Sequence, residues 1–246
     1  MKKLKCIVQY DGTAFSGYQV QPDSRTVQSE IESALTKLHK GQIVKITASG
    51  RTDAGVHALG QVIHFETDLD IPLEGWKRAL TATLPADIRI SEVYFVDTSF
   101  HARYDTTGKE YHYHIWNAGE PDLFRRLYSY HFPYELDIKA MKKACSYLEG
   151  EHDFTSFCAA RSGVKGDKIR TIMKADIEKR GEELIFIFRG SGFLYNMVRI
   201  LVGTLLEVGQ GEREPEDMLD IIARKDRDAA GKTAPPHGLF LWKVYY

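Results

Sequence analysis

The stretch Ser49-Gly50-Arg51-Thr52-Asp53-Ala54-Gly55-Val56-His57 sets an arginine, a threonine and an aspartate between two glycines, after one strand pattern at residues 43–47 and before another at 61–65. A connection in that place displays its side chains. Its glycines allow positive φ or close backbone approach, and the small Ala54 leaves room for a ligand next to Asp53. The same composition also suits a tight turn with an Asx hydrogen bond and a surface Arg–Asp pair, and spacing alone leaves both readings open.

Outward from this turn the chain alternates strand and helix. Residues 7–10 read as a short strand, and Thr26 stands as N-cap before Val27, Ile31, Leu35 and Leu38, one face of a helix that Gly41 ends. Downstream, Leu73, Trp76, Leu80 and Leu84 form a second helical stripe stopped by Pro85, and 88–96 returns as a strand. The remainder repeats the mixture: a strand at 109–116, a helix at 137–148 closed by Gly150, strands at 174–178 and 184–188, helices at 193–208 and 215–223, and a last strand at 239–245. Several strands are adjacent enough to pair antiparallel. The expected class is therefore α+β, as two α/β halves, 1–104 and 105–246, packed through antiparallel-rich sheets and joined near residues 100–108. At 246 residues the chain exceeds the usual size of one hydrophobic core, which fits two halves.

With 43% hydrophobic and 27% charged residues, the composition is that of a soluble globular protein. The net charge of −1 shows no global attraction to a polyanion, so any nucleic-acid surface must be a local patch. One candidate is 161–180, with Arg161, Lys165, Lys168, Arg170, Lys174, Lys179 and Arg180; another is Arg224-Lys225-Asp226-Arg227. A solvated charged face is the alternative for both. Cys6, Cys145 and Cys158 have no paired spacing, which fits a reducing cytoplasm, and the basic start loses its apolar run at Gln9-Tyr10-Asp11, too early for a signal segment. The apolar run 193–208 carries Asn196 and Arg199, so no membrane span is expected.

Arg199 is itself a candidate. A guanidinium in so apolar a helix either reaches water along its stem or meets an anion, because burying it unpaired costs several kcal/mol. If Asp53 is that anion, the pair would keep the carboxylate ionised. In Lys109-Glu110-Tyr111-His112-Tyr113-His114-Ile115-Trp116, strand alternation puts Tyr111, Tyr113 and Ile115 on one face and His112, His114 and Trp116 on the other. The tyrosine face offers stacking surface for unstacked bases, or plain core. His112, His114 and His101 lack a clustered carboxylate or cysteine, so no metal site is expected. Two near-motifs fail on detail: Gly190-Ser191-Gly192 has Tyr195 in place of the third glycine of a dinucleotide loop, and Gly231-Lys232-Thr233 has Asp226 where a phosphate loop needs its first glycine.

Taken together these segments resemble the tRNA pseudouridine synthase A family over nearly the whole chain. The likeness runs through Tyr10-Asp11-Gly12-Thr13, Phe15-Ser16-Gly17-Tyr18-Gln19, Thr26-Val27-Gln28, residues 50–57 with Gln61-Val62, and Phe100-His101-Ala102-Arg103. It continues with Lys109, Tyr111 and Tyr113, Gly150 with His152-Asp153-Phe154 and Ser156-Phe157, Gly192-Phe193-Leu194 with Met197-Val198-Arg199, and Gly238-Leu239 with Leu241. Residues 50–57 are the most specific part. The resemblance implies the pseudouridine synthase fold with a central basic cleft and an isomerase that flips a uridine out of RNA, breaks its N–C glycosidic bond and rejoins the ring through carbon. It implies Asp53 as the catalytic carboxylate, acting as nucleophile or base, Arg199 as its partner, Tyr111 stacking on the uracil, Leu239 packing its other side, and Arg51 helping to displace the base. The implied substrate is tRNA, not DNA, at positions 38, 39 and 40 of the anticodon stem-loop, read by shape. A cytoplasmic homodimer with no membrane contact and no metal or organic cofactor completes the expectation. Tyr18, where Trp is frequent, and Thr106 and Thr107, near a usual Ala, depart from the pattern. Two rivals are a catalytically silent RNA-binding protein on the same scaffold and a glycosidase, which usually needs two carboxylates where this turn supplies one.

Overall fold

The computed structural model describes residues 1–159 and 166–246, and the chain falls into two compact units, Met1–Thr107 with Phe240–Tyr246, and Gly108–Leu239. The first unit contains β1 (Lys2–Tyr10), α1 (Val27–Leu38), β2 (Thr47–Ala48), β3 (His57–Thr67), α2 (Leu73–Thr83) and β4 (Ile88–Val96). The second contains β5 (Gly108–Trp116), β6 (Tyr130–His131), α3 (Ile138–Ser146), β7 (Gly150–Asp153), β8 (Ile169–Arg180), β9 (Glu183–Gly190), α4 (Met197–Gly209) and α5 (Asp217–Arg224). The last strand, β10 (Leu239–Tyr245), runs from Phe240 onward with the first unit, whereas the sequence assigns all of 105–246 to the second half. Both units are mixed α/β with antiparallel-rich sheets, the class expected.

In the first unit β1 lies antiparallel between β3 and β4, with Cys6 opposite both Ile63 and Val93, and β10 adds parallel to β3 with Phe240 opposite His57. Alternation puts Leu4, Cys6, Val8, Ile63 and Phe65 on one face, where they are fully buried with Val27, Ile31 and Leu35 of α1 and Trp76 and Leu80 of α2. The Trp76 ring meets Phe65 edge-on at 5.5 Å. Thr26 caps α1 by accepting from the Ser29 amide, as its sequence position predicts. The segment after β4 crosses the other face: Lys3 Nζ donates to the carbonyls of Thr98 and Phe100, and the amide of fully buried Ala102 donates to His64 Nδ1 at 3.1 Å.

One expected strand is largely missing. Of the 43–47 pattern only Thr47 joins the sheet, together with Ala48, because the Ile46 amide donates to Glu32 Oε1 of α1, whose other oxygen holds Lys45 at 2.7 Å. A side-chain carboxylate has taken a ladder donor.

The second unit orders its strands β5, β9, β8, β7, all antiparallel, with β6 parallel to β5. Ile115, Ile177, Phe186 and Phe188 are fully buried along with Ile200, Leu201, Val202 and Leu205 of α4. That helix starts four residues later than the apolar pattern suggests, because Asn196 sits at φ +60 and breaks the run 193–196 from it. Among the described residues no helix is long and apolar enough to cross a membrane.

Candidate active site

The turn 49–57 begins where β2 ends and runs into β3. The Val56 amide closes it by donating to the Asp53 carbonyl at 3.2 Å, with Gly55 at φ +76 supplying the reversal. Upstream, the Ser49 amide donates to the Val62 carbonyl at 2.8 Å and the Tyr18 amide to the Thr52 carbonyl at 3.0 Å. Asp53 is half-buried between buried Thr52 and Val56, while Arg51 and Ala54 are exposed. The backbone on either side of the carboxylate is therefore fixed by hydrogen bonds, and its side chain stands at the tip.

Residues 10–18 form the floor of this turn. A Cβ on Gly12 would lie 2.1 Å from the Val56 carbonyl oxygen, and one on Gly17, at φ +98, would lie 3.1 Å from that of Thr52, so both positions admit the turn only as glycine. The Tyr10 hydroxyl shares a 2.7 Å hydrogen bond with Thr52 Oγ1. Fully buried Gln61 donates from Nε2 to the Gly50 carbonyl at 3.0 Å and accepts at Oε1 from Ser49 Oγ at 2.7 Å. Burial raises the Tyr10 phenol well above its ordinary range despite its bond to Thr52. His57, 1% exposed, accepts the Gly12 amide at Nδ1 (3.0 Å) and stacks on Phe240 at 4.7 Å. Asp11 Oδ1 approaches the same nitrogen at 3.2 Å but already accepts both the amide and the hydroxyl of Thr13. With Nδ1 acting as acceptor to Gly12, we read that approach as a contact and not as an ion pair.

Three of the five site residues named from the sequence, Tyr111, Arg199 and Leu239, lie in the second unit; Asp53 and Arg51 lie in the first. Tyr111, on β5 opposite Phe188, is 9% exposed and meets Phe193 edge-on at 5.1 Å. Phe193 opens the loop that leads into α4. Arg199, on the first turn of α4, is half-buried and donates from Nε to the Ala234 carbonyl at 2.7 Å and from Nη1 to Asn196 Oδ1 at 2.9 Å, so the guanidinium plane is fixed. Its own carbonyl accepts the Ala234 amide. Tyr113 donates to the neighbouring Pro235 carbonyl at 2.8 Å, and the chain from Ala234 to buried Leu239 follows directly. Arg199 thus stands on a helix turn braced by Ala234, Tyr111 on a strand against Phe193, and Tyr113 is core that holds Pro235.

The remaining candidates have other engagements. His112 Nε2 is 2.8 Å from Glu110 and His114 Nδ1 is 3.0 Å from Glu183, whereas His101 accepts the amides of Arg103 and Tyr104 at Nδ1 and stacks on Tyr104 at 4.2 Å. Of the basic stretch, Arg161 and Lys165 lie outside the described residues. Lys174 and Arg180 pair with Asp176 and Glu178 at the surface, and Arg170 approaches Asp167 at 3.7 Å. Tyr10 and Gln61 were quoted from the sequence only as parts of a pattern. The signal that marks Gln61 is its period-2 alignment with Ile63 and Phe65, which places an amide where the strand otherwise buries apolar side chains.

A family model described as tRNA pseudouridine synthase matches residues 6–105 and 144–246. Among curated relatives, the tRNA pseudouridine synthase A of Oceanobacillus iheyensis is 54% identical over 246 residues, covering 100% of this chain and 97% of that protein. The proteins of the same name from Geobacillus sp. (strain WCH70) and Anoxybacillus flavithermus are each 56% identical, covering 100% of this chain and 98% and 99% of theirs.

Proposed function

The chain belongs to the tRNA pseudouridine synthase family, and from that premise we propose that it isomerises uridine to pseudouridine at positions 38, 39 and 40 of the tRNA anticodon stem-loop, with Asp53 as the catalytic carboxylate. The reaction breaks the N1–C1′ bond, rotates the uracil and joins C5 to C1′; the C5 proton leaves and N1 takes up a proton, so the nucleoside keeps its mass. A carboxylate serves either by attacking the substrate as nucleophile or by taking a proton as base. One observation carries the reading: Asp53 stands at the tip of a turn whose backbone is pinned on both sides of it, the preorganisation that a reacting group needs.

In this reading Arg199 pairs with Asp53 and holds it ionised, since a nearby guanidinium favours the charged carboxyl. The fixed plane set by Ala234 and Asn196 supports that role. Tyr111 stacks on the extruded uracil, Leu239 packs its other side and exposed Arg51 helps to displace the base. The protein works in the cytoplasm as a homodimer with tRNA lying over both chains, which reconciles a polyanionic substrate with a net charge of −1. Mass spectrometry of tRNA treated with the purified protein, with chemical tagging of the product nucleoside, tests this. Tagged product at positions 38 to 40 with no free uracil supports it. Free uracil would mean a glycosidase, and unmodified but bound tRNA a silent binding protein.

A further inference from the structure

We infer that Tyr10 and Gln61 are positioning residues for the reaction: with Thr52 they form a buried hydrogen-bonded base that fixes the Asp53 turn from beneath. The inference rests on the reading of Asp53 as the catalytic carboxylate.

An amide in the interior of β3 is costly unless its donors and acceptor are satisfied, and a strand core holds an aliphatic side chain at no such cost. Gln61 is nevertheless fully buried, in line with Ile63 and Phe65. Its polar atoms are spent largely on one object. Nε2 donates to the carbonyl of Gly50 and Oε1 accepts from Ser49 Oγ, while the Tyr10 hydroxyl lies 2.7 Å from Thr52 Oγ1. Ser49, Gly50 and Thr52 are three of the four residues that precede Asp53 in the turn. Gln61 thus holds Ser49 and Gly50 while Tyr10 holds Thr52, and buried polar groups satisfied in this way stiffen what they hold. The Thr52 carbonyl is taken by the Tyr18 amide and the Asp53 carbonyl by that of Val56, so the backbone is held at Asp53 itself and at the residue before it.

Tyr18 shows that the arrangement is not simply a polar core under a loop. Its ring is 6.3 Å from that of Tyr10 and is equally buried, yet its hydroxyl has no hydrogen-bond partner among the described residues. Of two buried phenols beside the turn, only the one facing Thr52 is wired.

The test compares Tyr10→Phe, Gln61→Leu and Thr52→Val with Tyr18→Phe as control and Asp53→Asn as reference. Each is measured for single-turnover tritium release from tRNA labelled at uracil C5, for tRNA affinity and for thermal melting. Tyr10→Phe and Gln61→Leu are expected to slow the step about 10- to 100-fold while tRNA affinity stays within about 2-fold, because a carboxylate misplaced by about 1 Å loses rate and not binding. Tyr18→Phe keeps the native rate and Thr52→Ser restores most of what Thr52→Val loses. The Tyr10→Phe/Thr52→Val double variant is no slower than the worse single, as expected of groups acting as one unit. Tyr10→Phe removes a single oxygen and carries the test even if Gln61→Leu fails to fold. Native rates in Tyr10→Phe, multiplying losses in the double variant, or an equal loss in Tyr18→Phe would each overturn the inference. Turnover by Asp53→Asn would instead remove the catalytic assignment beneath it, so the two failures are told apart.

Discussion

Gly12→Ala puts the clamp on the Asp53 turn to its hardest use. The new Cβ would lie 2.1 Å from the Val56 carbonyl oxygen, 2.5 Å from its carbon and 2.9 Å from its nitrogen. Ordinary contact begins at 3.4 Å, and every atom in the way is backbone, so one of the two segments must retreat by about 1 Å. Val56 cannot retreat alone, because its amide holds the Asp53 carbonyl. Retreat of residues 10–14 would instead strain the Gly12 amide bond to His57 and the Tyr10 bond to Thr52. Overpacking of this size costs about 1–3 kcal/mol, enough to lower the melting temperature without unfolding the chain at 25 °C. The effect on rate is larger, since about 1 Å of misplacement is worth on the order of 100-fold. Single-turnover conversion measured beside urea unfolding separates the two: a modest stability loss, a two-order rate loss and near-native tRNA affinity are expected. A Gly12→Ala protein that converts tRNA at the native rate would refute the claim that the floor and the turn form one rigid unit.

The remaining predictions concern charge and shape elsewhere. His64 is 8% exposed and accepts the Ala102 amide; burial, reinforced by the Lys3 charge, lowers its pKa from 6.5 to about 4. The folded state therefore binds fewer protons than the unfolded chain between those values, and stability present above pH 6.5 is lost as pH falls towards 4. The loss is at most about 3 kcal/mol. Urea unfolding at pH 7.5 and 4.5 should show a smaller acid loss in His64→Asn, whose side-chain oxygen accepts the same amide without titrating; equal losses would contradict the assignment. Arg199→Lys should destabilise by about 1–3 kcal/mol and abolish turnover, because one ammonium cannot reproduce the fork that reaches Ala234 and Asn196. A native melting curve with native turnover would remove Arg199 from the account.

Much of this fold was legible in the chain because local and tertiary preferences agree. The stripes of α1 and α2 bury Val27, Ile31, Leu35, Trp76 and Leu80 as their spacing indicates, with Leu38 and Leu73 only half-buried, Asp137 caps α3 by accepting from the Lys139 and Ala140 amides, and β4 runs over residues 88–96 as the pattern indicates. The misreadings share a cause. Residues 43–46 have strand composition, but a carboxylate from α1 captures the Ile46 amide, and residues 193–196 have helical composition, but Asn196 adopts a left-handed backbone. In both places one polar side chain or one backbone dihedral outweighs the apolar periodicity. Nor does composition reveal that Phe240 pairs parallel with His57, since that contact joins residues far apart in the chain. At the proposed site, the glycine-bounded turn was visible in the sequence, whereas the contacts that Tyr10 and Gln61 make with it are distances that only the folded chain displays.

The most direct test of the account is conversion by Asp53→Asn under single-turnover conditions, with tRNA binding measured on the same preparation. The substitution keeps size and shape and removes only the ionisable carboxyl. No detectable pseudouridine from a folded protein that binds tRNA as the native chain does is the predicted result; substantial product would contradict the central claim.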